Sequence, residues 1–170
     1  MEHEQCDACD FDGGRYDDAS LLDALRGLGP QWRALLALYT RPELRNRPEP
    51  EVWSAIEYAA HSRDITALHV YGVEQALTLD EPALPEIAGD LVDAVAGGYG
   101  TEDPGAVVDA LEKESTHLAQ LAADAGPGAW SRGLTIGQER IEVRRLLEHA
   151  LHDSVHHVDD VERGLARLRG

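Results

Sequence analysis

The sequence has 170 residues, with 32 acidic and 15 basic side chains and a formal net charge of −17. This length suits one domain with a hydrophobic core, and a surface of this charge repels nucleic-acid phosphates and anionic lipid. No apolar run approaches the roughly 20 residues of a membrane span, and the polar start is unlike a signal peptide. We therefore expect a cytoplasmic protein with no nucleic acid and no membrane partner.

Residues 1–17 are polar and rich in glycine and aspartate, so we expect an irregular acidic arm. The arm carries His3, Cys6 and Cys9 in an H-x2-C-x2-C spacing. A closed zinc site needs four ligands, and no matching second half follows in the sequence. Three interpretations stay open: an acidic tail with two ordinary thiols, a second metal site completed by a distant His or Asp, and a redox dithiol.

Leucines at helical spacing predict a first helix over residues 18–39, and Gly29-Pro30 predicts a kink or a break within it. Residues 40–50 form a proline-rich connector, and we expect helix to resume only after it. Residues 51–77 then predict a second, long helix with apolar or small residues on nearly every side. That distribution is typical of a helix packed at the centre of a bundle.

A short helical piece is expected near Glu86–Ala96, between turn residues. Asp103-Pro104 opens a third helix over residues 104–125, with aspartate as the cap and proline in the first turn. Residues 126–138 form the last connector, and a fourth helix follows over roughly 139–168. Four helical patterns with almost no strand signal predict an all-α fold, a four-helix bundle in a single domain over residues 18–170.

The fourth helix carries four histidines among acidic residues, and imidazole and carboxylate are common ligands of divalent transition metals. At about 100° per residue, His157 lies roughly 65–70° from the centre of the apolar stripe and Asp153 about 105°. These two residues, four apart, form a ledge at the edge of the core. His152 and His156 are alternative ligands but point away from the stripe, towards solvent. An exposed charged face with His–Asp contacts is the competing interpretation of the whole cluster.

A third ligand is expected from the second helix, where His61 shares a strip with Ile65, Leu68 and Gly72. A histidine in such a setting is either a hydrogen-bonded core residue or a metal ligand. Glu57 and Asp64 flank this strip, so we predict that they orient the His61 ring or shuttle protons.

These residues resemble the DinB superfamily of metal-binding four-helix bundles, which includes mycothiol- and bacillithiol-dependent S-transferases and mycothiol-dependent maleylpyruvate isomerase. The similarity lies in Trp53–His61 with Asp64 on the second helix, and in Leu151–His157 on the fourth. It would cover residues 18–168 and leave the arm outside. The resemblance implies metal ligands at His61, Asp153 and His157. Many members carry histidine where this chain has Asp153, although a carboxylate also occurs in the isomerase branch.

The resemblance also implies a function, in which a divalent metal activates a low-molecular-weight thiol for S-transfer or isomerisation. We expect Zn²⁺, with Ni²⁺ or Fe²⁺ as alternatives, and a small-molecule thiol and an electrophile as reaction partners. The alternative is a non-catalytic metal-binding bundle that serves in stress or partner binding. The oligomeric state stays open, with a homodimer as one option. Arg63, Arg132 and Arg144 are candidates to receive a substrate carboxylate.

Overall fold

The computed structural model describes residues 3–86 and 96–169. Within them the predicted four-helix bundle is confirmed, with long helices α1 (Asp18–Leu36), α3 (Ala55–Thr78), α4 (Pro104–Ala125) and α5 (Val143–Arg169). Both α1 and α3 pack against α4 and α5, so leucine, valine and alanine side chains of all four helices meet in one core. None of the described helices combines the length and the hydropathy that a bilayer crossing requires.

The first helix runs without a break through Pro30, so the predicted interruption does not occur. Leu28 and Trp32 are buried on either side of the proline, and this packing keeps the helix continuous although one backbone hydrogen bond is lost. Gly29 has a different role, because a Cβ at this position would collide with Glu112 of α4. Gly29 therefore allows α1 and α4 to approach closely.

Two predicted helix boundaries are wrong. Helical structure was expected to resume only after residue 50, but a short helix, α2 (Arg41–Arg45), lies inside the connector. Its first turn is stabilised by a capping box, in which Thr40 and Glu43 satisfy each other's backbone groups. The second long helix then starts at Ala55, after a capping box of Ser54 and Glu57. Residues 87–95 of the helical piece predicted near Glu86–Ala96 lie outside the described residues.

The expectation of almost no strand is also corrected. Strand β4 (Gly133–Ile136) pairs antiparallel with β5 (Glu139–Glu142) and parallel with β3 (Ala83–Leu84). The hairpin turns at Gly137, whose positive φ of 61° favours glycine. As a result the last helix begins at Val143, after the hairpin. Strand β4 packs on α3 through Leu134, which is fully buried and lies beside Gly72.

The described part of the arm, residues 3–17, folds back onto α5. A two-residue strand β1 (Gln5–Cys6) pairs antiparallel with β2 (Phe11–Asp12), and the Phe11 side chain is buried. The main anchor is Glu148 of α5, which accepts hydrogen bonds from the Glu4 amide at 2.9 Å and from His3 Nδ1 at 2.7 Å. This contact brings the cysteines of the arm against the outer face of α5.

Candidate metal centre

Packing of α3 against α5 brings His61 together with Asp153 and His157. His61 Nε2 lies 3.7 Å from Asp153 Oδ1, and His157 Nε2 lies 3.5 Å from the same oxygen. The centroids of the two imidazole rings are 5.1 Å apart. One ligand atom from each residue lies within 4.8 Å of the other two. We refer to these three residues as the α3–α5 cluster.

The spacing of the α3–α5 cluster fits a single divalent ion. Ligand atoms that each lie about 2.1 Å from one tetrahedral ion are separated from each other by roughly 3.4 Å. The two measured N–O separations, 3.5 and 3.7 Å, are close to this value. The three side chains are between 14% and 18% exposed, so the cluster is not sealed inside the core. Three protein ligands with access to solvent would leave a coordination position open.

The charges of the α3–α5 cluster suit cation binding. Burial raises the pKa of Asp153, but hydrogen bonding and the charge of His157 and His61 outweigh burial and hold this pKa well below its ordinary value. Burial also lowers the pKa of His157, yet its contacts with the carboxylates of Asp153 and Asp160 leave it raised overall. The Asp153 carboxylate is therefore ionised at neutral pH and can attract a cation.

Neighbouring side chains fix the orientation of the two imidazole rings. His157 Nδ1 donates to Asp160 Oδ2 at 3.0 Å, which leaves Nε2 directed towards Asp153. Trp53 packs edge-on to His61 with ring centroids 5.2 Å apart, and Tyr58 lies 4.9 Å from His157. The His61 ring therefore lies between Trp53 and Asp153. The His157 ring lies between Asp160 and Tyr58 on one side and Asp153 on the other.

Substitution Asp160→Asn should weaken metal binding by the α3–α5 cluster by roughly 10–100-fold, the usual effect of removing the carboxylate behind a histidine ligand. The amide is a weaker acceptor for His157 Nδ1–H and carries no charge to favour the metal-bound imidazole. Competition of each protein with a chelator for zinc measures the affinity. Asp159→Asn is the matched control, because it makes the same charge change next to Asp160. Equal affinities of the two variants would contradict this role of Asp160.

The two carboxylates expected to assist His61 have other partners. Glu57 accepts from the Ser54 amide at 2.8 Å and from Arg47 Nε at 2.9 Å, so it caps α3. Asp64 accepts from the Tyr99 hydroxyl and from Arg63 Nε, both at 2.7 Å. The orienting contact with His61 predicted for both is therefore replaced by these interactions. Asp160, which the sequence analysis did not single out, takes the orienting role on the other histidine.

The three arginines proposed as receptors for a substrate carboxylate are already engaged by the chain itself. Arg63 pairs with Glu102, and Arg132 donates to backbone carbonyl groups at the C-terminal end of α3. Arg144 is nearly buried and donates to Glu148 at 2.6 Å. Their contacts therefore assign all three to structural interactions.

The alternative ligands make contacts that the sequence did not predict. His3 pairs with Glu148, and among the described residues the ligand group that contains Cys6 and Cys9 does not include His3. His152 and His156 do face away from the core, but the arm covers them. Cys6, Cys9, His152 and His156 together form a second group, the arm cluster, whose ligand atoms lie within 4.8 Å of one another. The angular positions of His152 and His156 on the helix could not predict that the arm covers them.

A cavity of about 630 Å³ lies between α3, α5 and the β-sheet. Its lining includes Ile65 and His149, which are one helical turn from His61 and Asp153 respectively. Most of the wall is apolar, and Arg145 and Glu4 supply charge at one side, where they form a 2.7 Å ion pair. The α3–α5 cluster does not line this cavity, which instead begins one turn further along the same two helices.

His69, in the wall of this cavity, predicts a dependence of stability on pH. Burial lowers the pKa of His69 to about 4, below its ordinary value of 6.5. The unfolded chain therefore binds more protons between pH 6.5 and 4, so the stability from neutral His69 is complete above pH 6.5 and falls as pH decreases through 4. A shift of this size corresponds to at most about 3 kcal/mol, because each pKa unit is worth about 1.4 kcal/mol.

Urea unfolding of chelator-treated protein at pH 7 and pH 5 measures this effect. The free energy of unfolding should fall more between the two pH values in the wild type than in His69→Gln, by about 2 kcal/mol. Other titrating groups cancel in this comparison. Parallel pH dependences of the two proteins would show that His69 titrates as in the unfolded chain.

Comparison with known proteins agrees with this architecture. The model of the DinB superfamily matches residues 21–161, a range that contains the α3–α5 cluster. No curated protein matches the sequence. Among solved structures, the chain is similar to YfiT from Bacillus subtilis, described as a probable metal-dependent hydrolase with an unusual four-helix bundle topology. The TM-score is 0.79 at 15% identity, over 89% of this chain and 87% of YfiT.

The chain is also similar to the mycothiol-dependent maleylpyruvate isomerase, with a TM-score of 0.68 at 15% identity. This alignment covers 88% of the present chain and 62% of the isomerase chain, so more than a third of the isomerase has no counterpart here. At such identity the two structures show a common fold, whereas the family model covers most of the sequence. The chain belongs to the DinB superfamily.

Proposed function

We propose that this protein is a metal-dependent enzyme that activates a low-molecular-weight thiol for S-transfer or isomerisation, at the α3–α5 cluster. The observation that carries this proposal is the convergence of His61, Asp153 and His157, whose two nitrogen–oxygen separations of 3.7 and 3.5 Å fit one tetrahedral ion. Zn²⁺ is the expected ion, with Ni²⁺ or Fe²⁺ as alternatives, because two imidazoles and one carboxylate suit all three.

The residues around the cluster have separable roles in this proposal. Nε2 of His61, Nε2 of His157 and the Asp153 carboxylate would hold the ion, which when bound lowers the pKa of a thiol ligand and keeps it as thiolate. Asp160 keeps the His157 ring oriented through Nδ1. Burial and the charge of Asp160 raise the pKa of Tyr58, whose neutral hydroxyl, on a residue beside His157, can donate a hydrogen bond.

The neighbouring cavity suits the body of a small thiol or its electrophilic partner. Its volume of about 630 Å³ lies within the roughly 300–1,000 Å³ typical of small-molecule sites. An apolar wall with an ion pair at one side can bury carbon atoms and still bind polar groups. The distance of one helical turn to the α3–α5 cluster would let a bound molecule reach the ion with one end.

A non-catalytic metal-binding bundle is the second candidate. One observation favours it, namely that the α3–α5 cluster lies outside the residues that line the cavity. A metal in that position could serve only to hold α3 against α5. The two candidates make the same prediction for metal content and opposite predictions for turnover.

The test compares metal-stripped protein with protein reloaded with zinc. Each is mixed with the electrophile monobromobimane and one of mycothiol, bacillithiol, coenzyme A, glutathione or cysteine, and thiol consumption is followed. At pH 7 a thiol of ordinary pKa is only a few per cent ionised, so full ionisation alone should raise the rate by about 30-fold. Zinc-dependent consumption of at least one thiol supports the enzyme. Identical rates with and without bound zinc, for every thiol, would support the non-catalytic bundle.

A further inference from the structure

The arm cluster has the ligand set of a closed zinc site. Cys6 and Cys9 are free thiols, and with His152 and His156 they complete the pattern C-x2-C followed by H-x3-H. Cys6 Sγ lies 3.7 Å from His156 Nδ1. Sulfur at about 2.3 Å and nitrogen at about 2.1 Å from one tetrahedral ion would be roughly 3.6 Å apart. The measured separation therefore fits two ligands of the same ion.

Local structure explains why the two pairs meet. Strand β1 ends at Cys6, and a tight turn that includes Asp10 with a positive φ of 56° returns the chain to Phe11, the partner of Cys6 in the β1–β2 ladder. The turn places Cys9 beside Cys6 on one side of the arm. His152 and His156 are four residues apart, so they project from one side of α5. The Phe11 ring stacks on His152 with centroids 5.0 Å apart.

Each histidine of the arm cluster also has a carboxylate behind it. His152 Nδ1 donates to Glu4 Oε1 at 2.8 Å, and its Nε2 is buried without a hydrogen-bond partner within residues 3–86 and 96–169. His156 presents Nδ1 to Cys6, and its Nε2 lies 3.6 Å from Asp160 Oδ2. Carboxylates that accept from the distal nitrogen are the usual support for histidine ligands of zinc. The lone pair of this buried imidazole nitrogen, which has no hydrogen-bond partner among the described residues, is available to bind such an ion.

We propose that Cys6, Cys9, His152 and His156 bind a structural Zn²⁺ that fastens the arm to α5, in addition to the metal of the α3–α5 cluster. Two thiolates and two imidazoles neutralise the ion and fill its four positions, so this site offers no place for a substrate. Binding releases the two thiol protons to solvent. The overlapping group of Glu4, His149 and His152 is disfavoured as a site, because Arg145 pairs with Glu4 at 2.7 Å and would repel a cation.

The ion would also influence the cavity. Glu4, which accepts from His152, lines the cavity together with its partner Arg145. Loss of the ion would loosen the arm and with it the charged side of the cavity wall. This site and the α3–α5 cluster share Asp160, which accepts from His157 and lies beside His156. Each site can nevertheless be removed separately, because no ligand is common to both.

The experiment uses untagged, full-length protein kept reduced, and replaces zinc by Co²⁺. Cobalt bound to thiolates gives an intense charge-transfer band in the near ultraviolet, which nitrogen and oxygen ligands do not give. The wild type and His157→Ala should both show this band, and the double variant Cys6→Ser/Cys9→Ser, which has no thiolate, should lose it. Zinc analysis should give one ion fewer in this double variant than in the wild type, because only two ligands remain. Failure of the thiol-activation proposal would leave all these results unchanged.

A second measurement does not depend on the variants folding. Zinc should slow the alkylation of both cysteines in the wild type by at least 10-fold, and a chelator should restore the rate. A reduced wild type that binds cobalt without the charge-transfer band would overturn the proposal. Alkylation rates unaffected by zinc, or a Cys6–Cys9 disulfide that forms equally fast with zinc present, would also overturn it.

Discussion

Replacement of His157 by alanine is expected to abolish metal binding by the α3–α5 cluster and, with it, any thiol turnover. The substitution removes one of three ligands, so the loss of affinity should exceed the roughly 10–100-fold that follows when only a supporting carboxylate is removed. Asp153 would keep His61 as its sole imidazole partner in the cluster, and two ligands hold zinc poorly. Metal analysis after dialysis against a weak chelator, together with the monobromobimane assay, measures both effects.

The fold should tolerate this substitution. His157 lies on the edge of the core and is 18% exposed, and alanine is the best helix former. His117→Ala is the matched control, because His117 is a half-exposed histidine on α4 whose only ion pair is a 3.8 Å contact with Glu74 among the described residues. The control should keep full metal content and turnover. The same metal content in Cys6→Ser/Cys9→Ser, which lacks the arm cluster, with and without His157→Ala would show that the α3–α5 cluster is not a metal site.

Helical periodicity was sufficient to predict the part of the site that is built on regular helices. The apolar stripe of the last helix places Asp153 and His157 at the edge of the core without any knowledge of the partner helix. His61 could be proposed because a histidine within a centrally packed helix needs a polar partner. The structure brings these three residues together, although the metal itself remains a proposal.

Contacts that are made by irregular segments of the chain could not be predicted from the sequence. The apolar residues of the arm follow neither the strand period of 2 nor the helix period of 3.6, so the sequence pattern could not predict that the arm folds back onto α5. His152 and His156 were therefore expected to face solvent. The pairing of β3 with β4 was missed because β3 has two residues and lies about 50 residues from its partner strand. Glu57 was expected beside His61 by helical phase, but its position three residues after Ser54 makes it a cap.

Replacement of Glu148 by alanine is expected to destabilise the protein by about 3 kcal/mol. Glu148 is fully buried on α5 and accepts hydrogen bonds from Arg144, His3 and the Glu4 amide. Removing one partner of a buried ion pair typically costs about 3–5 kcal/mol. The lower value applies because Arg144 keeps Asp18 and two backbone carbonyl groups as partners. For a chain of this size the melting temperature should fall by about 10 °C.

The loss should depend on pH in a defined direction. Burial raises the pKa of Glu148, but hydrogen bonds from Arg144, the Glu4 amide and His3 outweigh burial, and the pKa is lowered from its ordinary value of 4.5. The stabilisation is therefore complete above pH 4.5 and is lost as pH falls below it. Thermal unfolding at pH 7 and pH 3.5 measures the difference between the wild type and Glu148→Ala, which should be larger at pH 7.

Two controls separate the buried ion pair from a general effect of removing charge. Glu112→Ala breaks an exposed pair with Arg33 and should cost less than about 1 kcal/mol. Glu148→Gln keeps the shape but not the charge and should fall between the two alanine variants. Equal melting temperatures of Glu148→Ala and Glu112→Ala would show that the buried pair adds no more than a surface pair.

Unfolding of the Glu148→Ala variant should begin in the arm. Two of the three groups that donate hydrogen bonds to Glu148 belong to residues 3 and 4. Limited proteolysis of Glu148→Ala below its melting temperature should therefore cleave near the N-terminus while the helices stay intact. Arg144 provides the only other contact of Glu148 among the hydrogen bonds of the described residues, and it also donates to Gly13 and Tyr16 of the arm. Simultaneous cleavage throughout the chain would instead mean that the arm and the bundle unfold as one unit, and that Glu148 stabilises both equally.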